Sequence, residues 1–446
     1  MTDFKVPSSL LARSKELISL ASKLGVKEIG YQVSRIAQSN PQLKKLSKQL
    51  DQAQALTETL SRMKGAAMKA GQLLSLEASD ILTPEVRHIL SSLQNQSNDF
   101  MSVTQVREIL SEELGADKLA LLEDLEEIPF ASASIGQVHR ARYLGDEIAI
   151  KIQYPGVADS VGTDLSLLKK IADAFLVISR KSEISLDALF AELEAELRKE
   201  VDYHNEARNL ESFAGILLPY PTYRLPRVIS ELSGARVLSM SFESGLGFRE
   251  WLATNPSPEE KHYFADQILG LYCLEFFENR KVQTDPNFAN FLFDQKKQQL
   301  VLLDFGAVRE YPAAFVHEYI KLMTFAKERD AARCVAKGIE MGFLNPDERT
   351  ETRLAFYDMI RVSMSAFEER RQPLYFGDKD YAEQTAEAGK RFMRLIEFSP
   401  PPYQLVFLHR KLSGIFNLLK SMDVTMNLSP YWDRVLQSPD AAAPSA

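Results

Sequence analysis

The sequence predicts an α+β protein in which a small sheet-containing part precedes a larger, mostly helical part, with a helical extension in front of both. Three observations predict it. Leu46, Leu50, Ala53, Leu56, Leu60 and Met63 recur at steps of three and four, one face of a long helix. Ile128 to Tyr143 and Glu147 to Gln153 are rich in β-branched and aromatic residues around a Gly145-Asp146 turn, the pattern of a hairpin. After Phe248 the pattern is helical to Leu436, interrupted by strand-like runs at Asn290 to Phe293 and Leu300 to Asp304.

Taken in order, the first helix runs from Leu43 to about Leu76, with Gly65 and Gly71 as weak points. Thr83-Pro84-Glu85 starts a second, and Thr104 can cap a third that ends at Gly115, so residues 1–115 read as a helical extension. Residues 116–243 hold the hairpin, a helical stretch from Asp164 to about Leu210, and short strands at Arg227 to Ile229 and Arg236 to Phe242. Residues 244–437 form the helical part, and residues 438–446, rich in Pro, Ala and Ser, read as a disordered tail.

The chain has 446 residues, 45% hydrophobic and 26% charged, which excludes whole-chain disorder and fibrous rods. A net charge of −8 argues against a surface that holds nucleic-acid backbone, so nucleic acid is not an expected partner. Cys273 and Cys334 are too few for a disulfide framework or a cysteine zinc site, which points to a reducing compartment. Ile268 to Phe277 is the most apolar run, but Glu275 interrupts it and it is too short to span a bilayer, so it reads as a core helix. Met1 to Arg13 looks like neither a secretory signal nor an anchor. The expected location is the cytoplasm, with at most peripheral membrane contact.

Ile148-Ala149-Ile150-Lys151 is an apolar strand delivering one ammonium, which in a nucleotide site neutralises the α- and β-phosphates; alone, such a lysine is more often a solvated strand end. Leu302-Leu303-Asp304-Phe305-Gly306 is a strand ending in a carboxylate and a glycine turn, suited to placing an aspartate oxygen on magnesium. Upstream, Asp285 and Asn290 stand five residues apart in a loop before a hairpin: Asp285 can orient or deprotonate an acceptor, and Asn290 can supply a second metal oxygen. Lys151, a later acidic helix, then Asp285, Asn290 and Asp304 follow the order of parts in a protein kinase. The acids run from Glu192 to Glu211 and include Glu196, Glu200, Asp202 and Glu206. On one continuous helix Glu200 and Glu206 lie on different faces, so the acids cannot all meet Lys151; one should pair with it and another needs a different cation, for which Lys69 is a candidate. Where kinases keep a glycine-rich phosphate loop, this chain has Ala131, Ser132, Ala133, Ser134, Ile135, Gly136 and Gln137, a stiffer segment that disfavours phosphoryl transfer to an outside protein.

With these residues the chain resembles the UbiB (AarF, coenzyme Q-linked) family of atypical kinase-like proteins from about Ser61 to near Gly414. The diagnostic motifs are Lys-x-Gly-Gln at Lys69 to Gln72, the alanine-rich loop at Ala131 to Gln137, and Glu-x-Asp at Glu200 to Asp202. The resemblance implies a bilobal protein kinase-like fold, with a small sheet-containing N-lobe and a mostly helical C-lobe. It makes Lys151 the nucleotide lysine, Glu206 its ion-pair partner, Asp285 the catalytic-loop aspartate, and Asn290 and Asp304 the metal ligands. It assigns Lys69, Gly71, Gln72, Glu200 and Asp202 to a regulatory contact that covers the place where a peptide would bind. Met240 and Ser241 fall at the hinge, whose backbone can bind adenine; an acidic residue is common where Ser241 stands. The family usually has His-Pro-Gly where this chain has Asn287-Phe288-Ala289, a change that bears on loop rigidity and turnover more than on metal binding.

The expected activity is that of an atypical kinase or ATPase that binds ATP with Mg²⁺ and supports ubiquinone or other isoprenoid lipid biosynthesis by slow hydrolysis or phosphoryl transfer. Expected partners are ATP, a quinone-precursor or isoprenoid lipid, and lipid-biosynthetic proteins. A nucleotide-sensing scaffold is the alternative from another class; a conventional Ser/Thr kinase is disfavoured by Lys69 and the alanine loop.

Overall fold

The computed structural model describes residues 100–133, 135–178, 187–285, 287–396 and 403–441. The helices expected before residue 100, Lys69, Gly71 and Gln72 with them, fall outside these residues, as does Ser134. The chain divides into two compact units, one holding the described residues up to Glu211 together with Pro226–Phe242, the other Ser212–Leu225 and everything from Glu243 onward.

The first unit opens with α1, Val103–Leu114, and a one-turn α2, Ala116–Leu119. The α1 cap is Ser102, two residues before the expected Thr104. Ser102 Oγ accepts from the Gln105 N–H at 3.4 Å while the Ser102 N–H donates to Gln105 Oε1 at 3.2 Å, a reciprocal pair that satisfies two orphan donors. An antiparallel sheet follows, built from β1 (Leu122–Glu123), β2 (Ala131–Ala133), β3 (Gly136–Tyr143), β4 (Asp146–Gln153) and β6 (Val237–Ser241), in the order β1-β3-β4-β6 with β2 beside β3. Tyr143 pairs with Asp146, so the β3–β4 turn is Leu144-Gly145, one residue earlier than the sequence suggests. Both have positive φ, 51° and 90°, which matches the twist of a two-residue hairpin. On the central strand β4, Ile148, Ile150 and Ile152 are buried on one face and Ala149, Lys151 and Gln153 on the other.

The helical stretch is three helices: α3 (Val157–Ile178), α4 (Asp187–Glu200) and α5 (Tyr203–Leu217). The acidic run expected on one helix is therefore split. Gln153 Nε2 donates to the Val201 carbonyl at 2.9 Å, satisfying an orphan acceptor at the end of α4, and a new helix starts as Asp202 O accepts from the Glu206 N–H at 3.2 Å. The placing of Glu200 and Glu206 on different faces of one continuous helix does not apply.

In the second unit, β5 (Tyr223–Arg224), β7 (Leu246–Gly247), β9 (Phe291–Asp294) and β10 (Gln299–Leu302) form a sheet in the order β5-β10-β9-β7. β8 (Lys281–Gln283) and β11 (Val308–Glu310) form a separate ribbon, and neither strand was evident in the sequence. After α6 (Phe248–Ala253), α7 (Pro258–Tyr272) starts at Ser257 with Pro at its first turn and runs into a wider π turn over Cys273–Glu278. Trp251 stacks on Phe293 at 4.5 Å, with Phe264 edge-on to both, and this aromatic cluster anchors the sheet. The remainder comprises α8 (Ala313–Lys327), α9 (Ala331–Glu340), α10 (Thr350–Met364), α11 (Lys379–Leu395), α12 (Tyr403–Met422) and α13 (Ser429–Leu436), with a small ribbon of β12 (Leu374–Tyr375) and β13 (Thr425–Met426).

Residues 438–441, expected to belong to a disordered tail, are held in the fold. Asp440 is buried, its carboxylate 3.1 Å from Arg280 Nη1 and its carbonyl accepting from His317 Nδ1 at 2.6 Å.

Candidate nucleotide site

In the first unit Lys151 leaves β4 toward α5. Its Nζ lies 2.8 Å from Glu206 Oε2 and 2.9 Å from Oε1, and 5.3 Å from the centre of the Tyr203 ring. Lys151 is 7% exposed and Glu206 1%. Such a desolvated pair persists only with good geometry, and here both carboxylate oxygens face one ammonium. Asp202 Oδ2 is 3.3 Å from Arg208 Nη2, and Glu196 Oε1 is 3.2 Å from Lys199 Nζ. Neither is the partner of Lys151. Glu200 is half-buried at the end of α4.

The alanine-rich segment is a second hairpin. Ala131, Ser132 and Ala133 pair with Val138, Gln137 and Gly136. Ile135 is buried, and its carbonyl accepts from the Tyr154 N–H at 2.9 Å. A side chain at Gly136 would meet the Ile152 carbonyl at 2.3 Å, so glycine is required there for a close approach of strands. The Gln137 side chain turns inward: Oε1 accepts from the Met101 N–H at 2.8 Å and Nε2 donates to His139 Nε2 at 2.7 Å. Its amide is thus engaged within the fold. His139 Nδ1 donates to the Glu126 carbonyl at 2.8 Å, so the ring is neutral, and burial lowers its pKa from 6.5.

At the hinge position Met240 is buried and pairs with Ala149 across the sheet. The Ser241 N–H donates to the Arg227 carbonyl at 2.9 Å and Ser241 Oγ accepts from the Arg227 N–H at 2.8 Å. Its N–H is thus engaged in the fold.

In the second unit the β8–β11 ribbon and the β9–β10 hairpin bring Asp285, Asn290 and Asp304 to one region. Thr284, fully buried, binds the Ala307 carbonyl through its N–H at 2.8 Å and through Oγ1 at 3.1 Å, tying the Asp285 loop to the segment after Asp304. The Leu303 N–H donates to the Asn290 carbonyl at 3.0 Å. Asp304 Oδ1 accepts from the Gly306 N–H at 2.9 Å, which fixes the carboxylate in its turn, and Phe305 packs on Phe213 with ring centres 4.6 Å apart. Between Asp285 and Asn290, Asn287 Oδ1 accepts from the Ala289 N–H at 3.1 Å and Phe288 packs edge-on against Phe248 at 5.1 Å. Local capping and an aromatic anchor hold Asn287 to Ala289, none of which is Pro or Gly.

Among the described residues no group of three or more His, Cys, Asp or Glu could hold a metal ion. The Asn290 and Asp304 pair instead suits magnesium, which keeps much of its water and takes one or two protein oxygens plus phosphate. Asn290 Nδ2 is buried without a hydrogen-bond partner, and Oδ1 would be the amide atom to serve a cation.

Residues that the sequence reading passed over also meet here. Arg410, on α12, places Nη2 3.7 Å from Asp285 Oδ1. Lys411, next to it, is buried and lies 3.1 Å from Glu275 Oε2 and 3.2 Å from Gln283 Oε1. The one signal for them was Glu275 itself, a carboxylate alone in an apolar run, which has to find a cation once the run is buried.

Comparison with known proteins agrees with this architecture. Residues 92–337 match the ABC1 atypical kinase-like domain. The mitochondrial atypical kinase COQ8 of Saccharomyces cerevisiae is 32% identical over 440 residues, 96% of this chain and 85% of that protein. Mitochondrial COQ8B of Rattus norvegicus is 34% identical over 427 residues, covering 92% and 78%. A chloroplastic ACTIVITY OF BC1 COMPLEX KINASE 8 of Arabidopsis thaliana is 28% identical over 71% of this chain and 42% of its own. Among solved structures, Rv3197 of Mycobacterium tuberculosis, determined with erythromycin, superposes with a TM-score of 0.61 at 20% identity, covering 94% of this chain and all of that one. Among the described residues no helix is long and apolar enough to cross a membrane. The chain has the kinase-like α+β fold and belongs to the ABC1 atypical kinase-like (UbiB) family that includes the COQ8 proteins.

Proposed function

We propose that the protein binds Mg-ATP and spends it slowly, by hydrolysis or phosphoryl transfer, in support of ubiquinone or other isoprenoid lipid biosynthesis. The observation that carries the nucleotide part is the buried Lys151–Glu206 pair, because an ammonium held at 2.8 Å by one carboxylate on a central strand is poised to meet phosphate oxygens. Glu206 restrains the rotamers of Lys151, so little ordering remains when phosphate arrives. Backbone groups of the hairpin from Ala131 to Gln137 line the phosphates. Asn290 Oδ1 and Asp304 would hold Mg²⁺, which when bound neutralises charge on the β- and γ-phosphates. Asp285 accepts a hydrogen bond from the attacking water or hydroxyl and orients it, and Arg410 at 3.7 Å steadies that carboxylate. Membrane contact, where lipid is handled, is peripheral.

Phosphate release by the purified protein, compared with Asp304→Asn, tests the chemistry. Release that depends on Mg²⁺ and is lost in the variant supports it; equal background in both, with nucleotide binding intact, favours a nucleotide-sensing scaffold. Quinone and isoprenoid profiling of a deletion strain complemented with wild type or Asp304→Asn tests the lipid assignment.

A further inference from the structure

The geometry points to Lys411, Glu275 and Gln283 as a buried support that sets the orientation of the Asn290 amide through one resident water molecule, and so sets affinity for the divalent cation. This rests on the proposed metal role of Asn290. The four residues line one small pocket in the second unit together with Asp304 and Phe305, and the pocket has about 10 Å³ of room, about the least that a single water needs.

Lys411, Glu275 and Gln283 are 3%, 2% and 4% exposed. Lys411 Nζ donates to Gln283 Oε1 at 3.2 Å, which turns Gln283 Nε2 the other way, where it is buried without a partner. Glu275 Oε2 lies 3.1 Å from the same ammonium but outside hydrogen-bonding geometry. Asn290 Nδ2 is the third buried atom left over. Two donors and one acceptor around a cavity of this size are what one water can satisfy, accepting from both amides and donating to the carboxylate. With Nδ2 of Asn290 and Nε2 of Gln283 donating to that water, Oδ1 is the amide atom left for the cation. The π turn at Cys273–Glu278 is what carries Glu275 inward from the end of α7. Lys411 is a positioning residue on this account, acting on the metal through Asn290.

Removing Lys411 alone would strand Glu275, so the test uses Glu275→Gln with Lys411→Met, which removes both charges and keeps the volume, and separately Gln283→Met. The readout is the Mn²⁺ concentration that half-maximally tightens binding of a fluorescent non-hydrolysable ATP analogue, with metal-free nucleotide affinity measured beside it. Both variants are expected to need about tenfold more Mn²⁺, the lower end of effects seen when support behind a metal ligand is lost. Metal-free affinity is expected to stay unchanged, and neither variant should weaken Mn²⁺ binding further in an Asn290→Ala background. Unchanged Mn²⁺ dependence, or the same tenfold loss on top of Asn290→Ala, overturns the inference while leaving the metal site standing. If Asn290→Ala itself leaves Mn²⁺ dependence untouched, the metal assignment falls and the inference falls with it.

Discussion

The carbonyl of Asn290 accepts the N–H of Leu303 at 3.0 Å, so the strand leading out of Asn290 and the strand leading into Asp304 are clamped together one residue before the carboxylate. Backbone pairing of β9 with β10, not side-chain chance, sets the spacing of these two residues. A tetrapeptide between the strands, Gln295-Lys296-Lys297-Gln298, closes the hairpin.

Glu206→Gln leaves the Lys151 ammonium buried without its counter-charge. Loss of one partner of a buried pair costs about 3–5 kcal/mol, so the melting temperature should drop by several degrees and nucleotide affinity should fall as Lys151 loses its orientation. The double variant Lys151→Met with Glu206→Gln should recover most of the stability and none of the nucleotide binding. Calorimetry on the three proteins checks this; a single variant as stable as wild type would contradict the pair's role.

Gly136→Ala should destabilise by about 1–3 kcal/mol, because a methyl 2.3 Å from the Ile152 carbonyl forces two paired strands apart. Ala133→Gly, across the ladder from Gly136, should cost only about 0.5–1 kcal/mol by loosening the strand. Denaturant titration ranks the two, and the reverse order would show that the hairpin is held some other way.

His139 gives a pH signature. Burial lowers its pKa below 6.5, so the folded state resists the proton that the unfolded chain accepts. Its contribution is fully present above about 6.5 and is lost as pH falls from there toward the lowered folded value, since a proton on Nε2 would oppose the Gln137 donor. Burial lowers His409 too, adding a contribution of the same sign. Stability should therefore fall as pH drops below about 6.5, and His139→Gln should flatten part of that slope. An unaltered slope would assign the effect elsewhere.

Asn287→Ala removes the cap on the turn at Phe288–Asn290 at a cost of about 1 kcal/mol. Because that turn carries Asn290, Mn²⁺ affinity should weaken while metal-free nucleotide affinity holds, a split that titration at varied metal reads directly.

Much of this was legible in the sequence because it is local. The alternation around Ile148 to Lys151, the strand into Asp304 and the capped start near residue 103 are properties of a few adjacent residues. What escaped depends on distant ones. The break at Val201 that separates Glu200 from Glu206 is fastened by Gln153, and helical periodicity alone carried the run straight through it. Gln137 read as part of a phosphate loop, yet its amide is occupied by Met101 and His139. Lys411 meets Glu275 from 136 residues away. The composition of residues 438–441 suggests a loose end, but Asp440 is captured by Arg280.

The most direct measurement is equilibrium binding of ATP to the purified protein with and without Mg²⁺, for wild type, Lys151→Met and Asp304→Asn. The account predicts tight binding only with Mg²⁺ in the wild type, loss of binding in Lys151→Met, and loss of the Mg²⁺ dependence in Asp304→Asn. Binding that ignores both substitutions and the metal would contradict it.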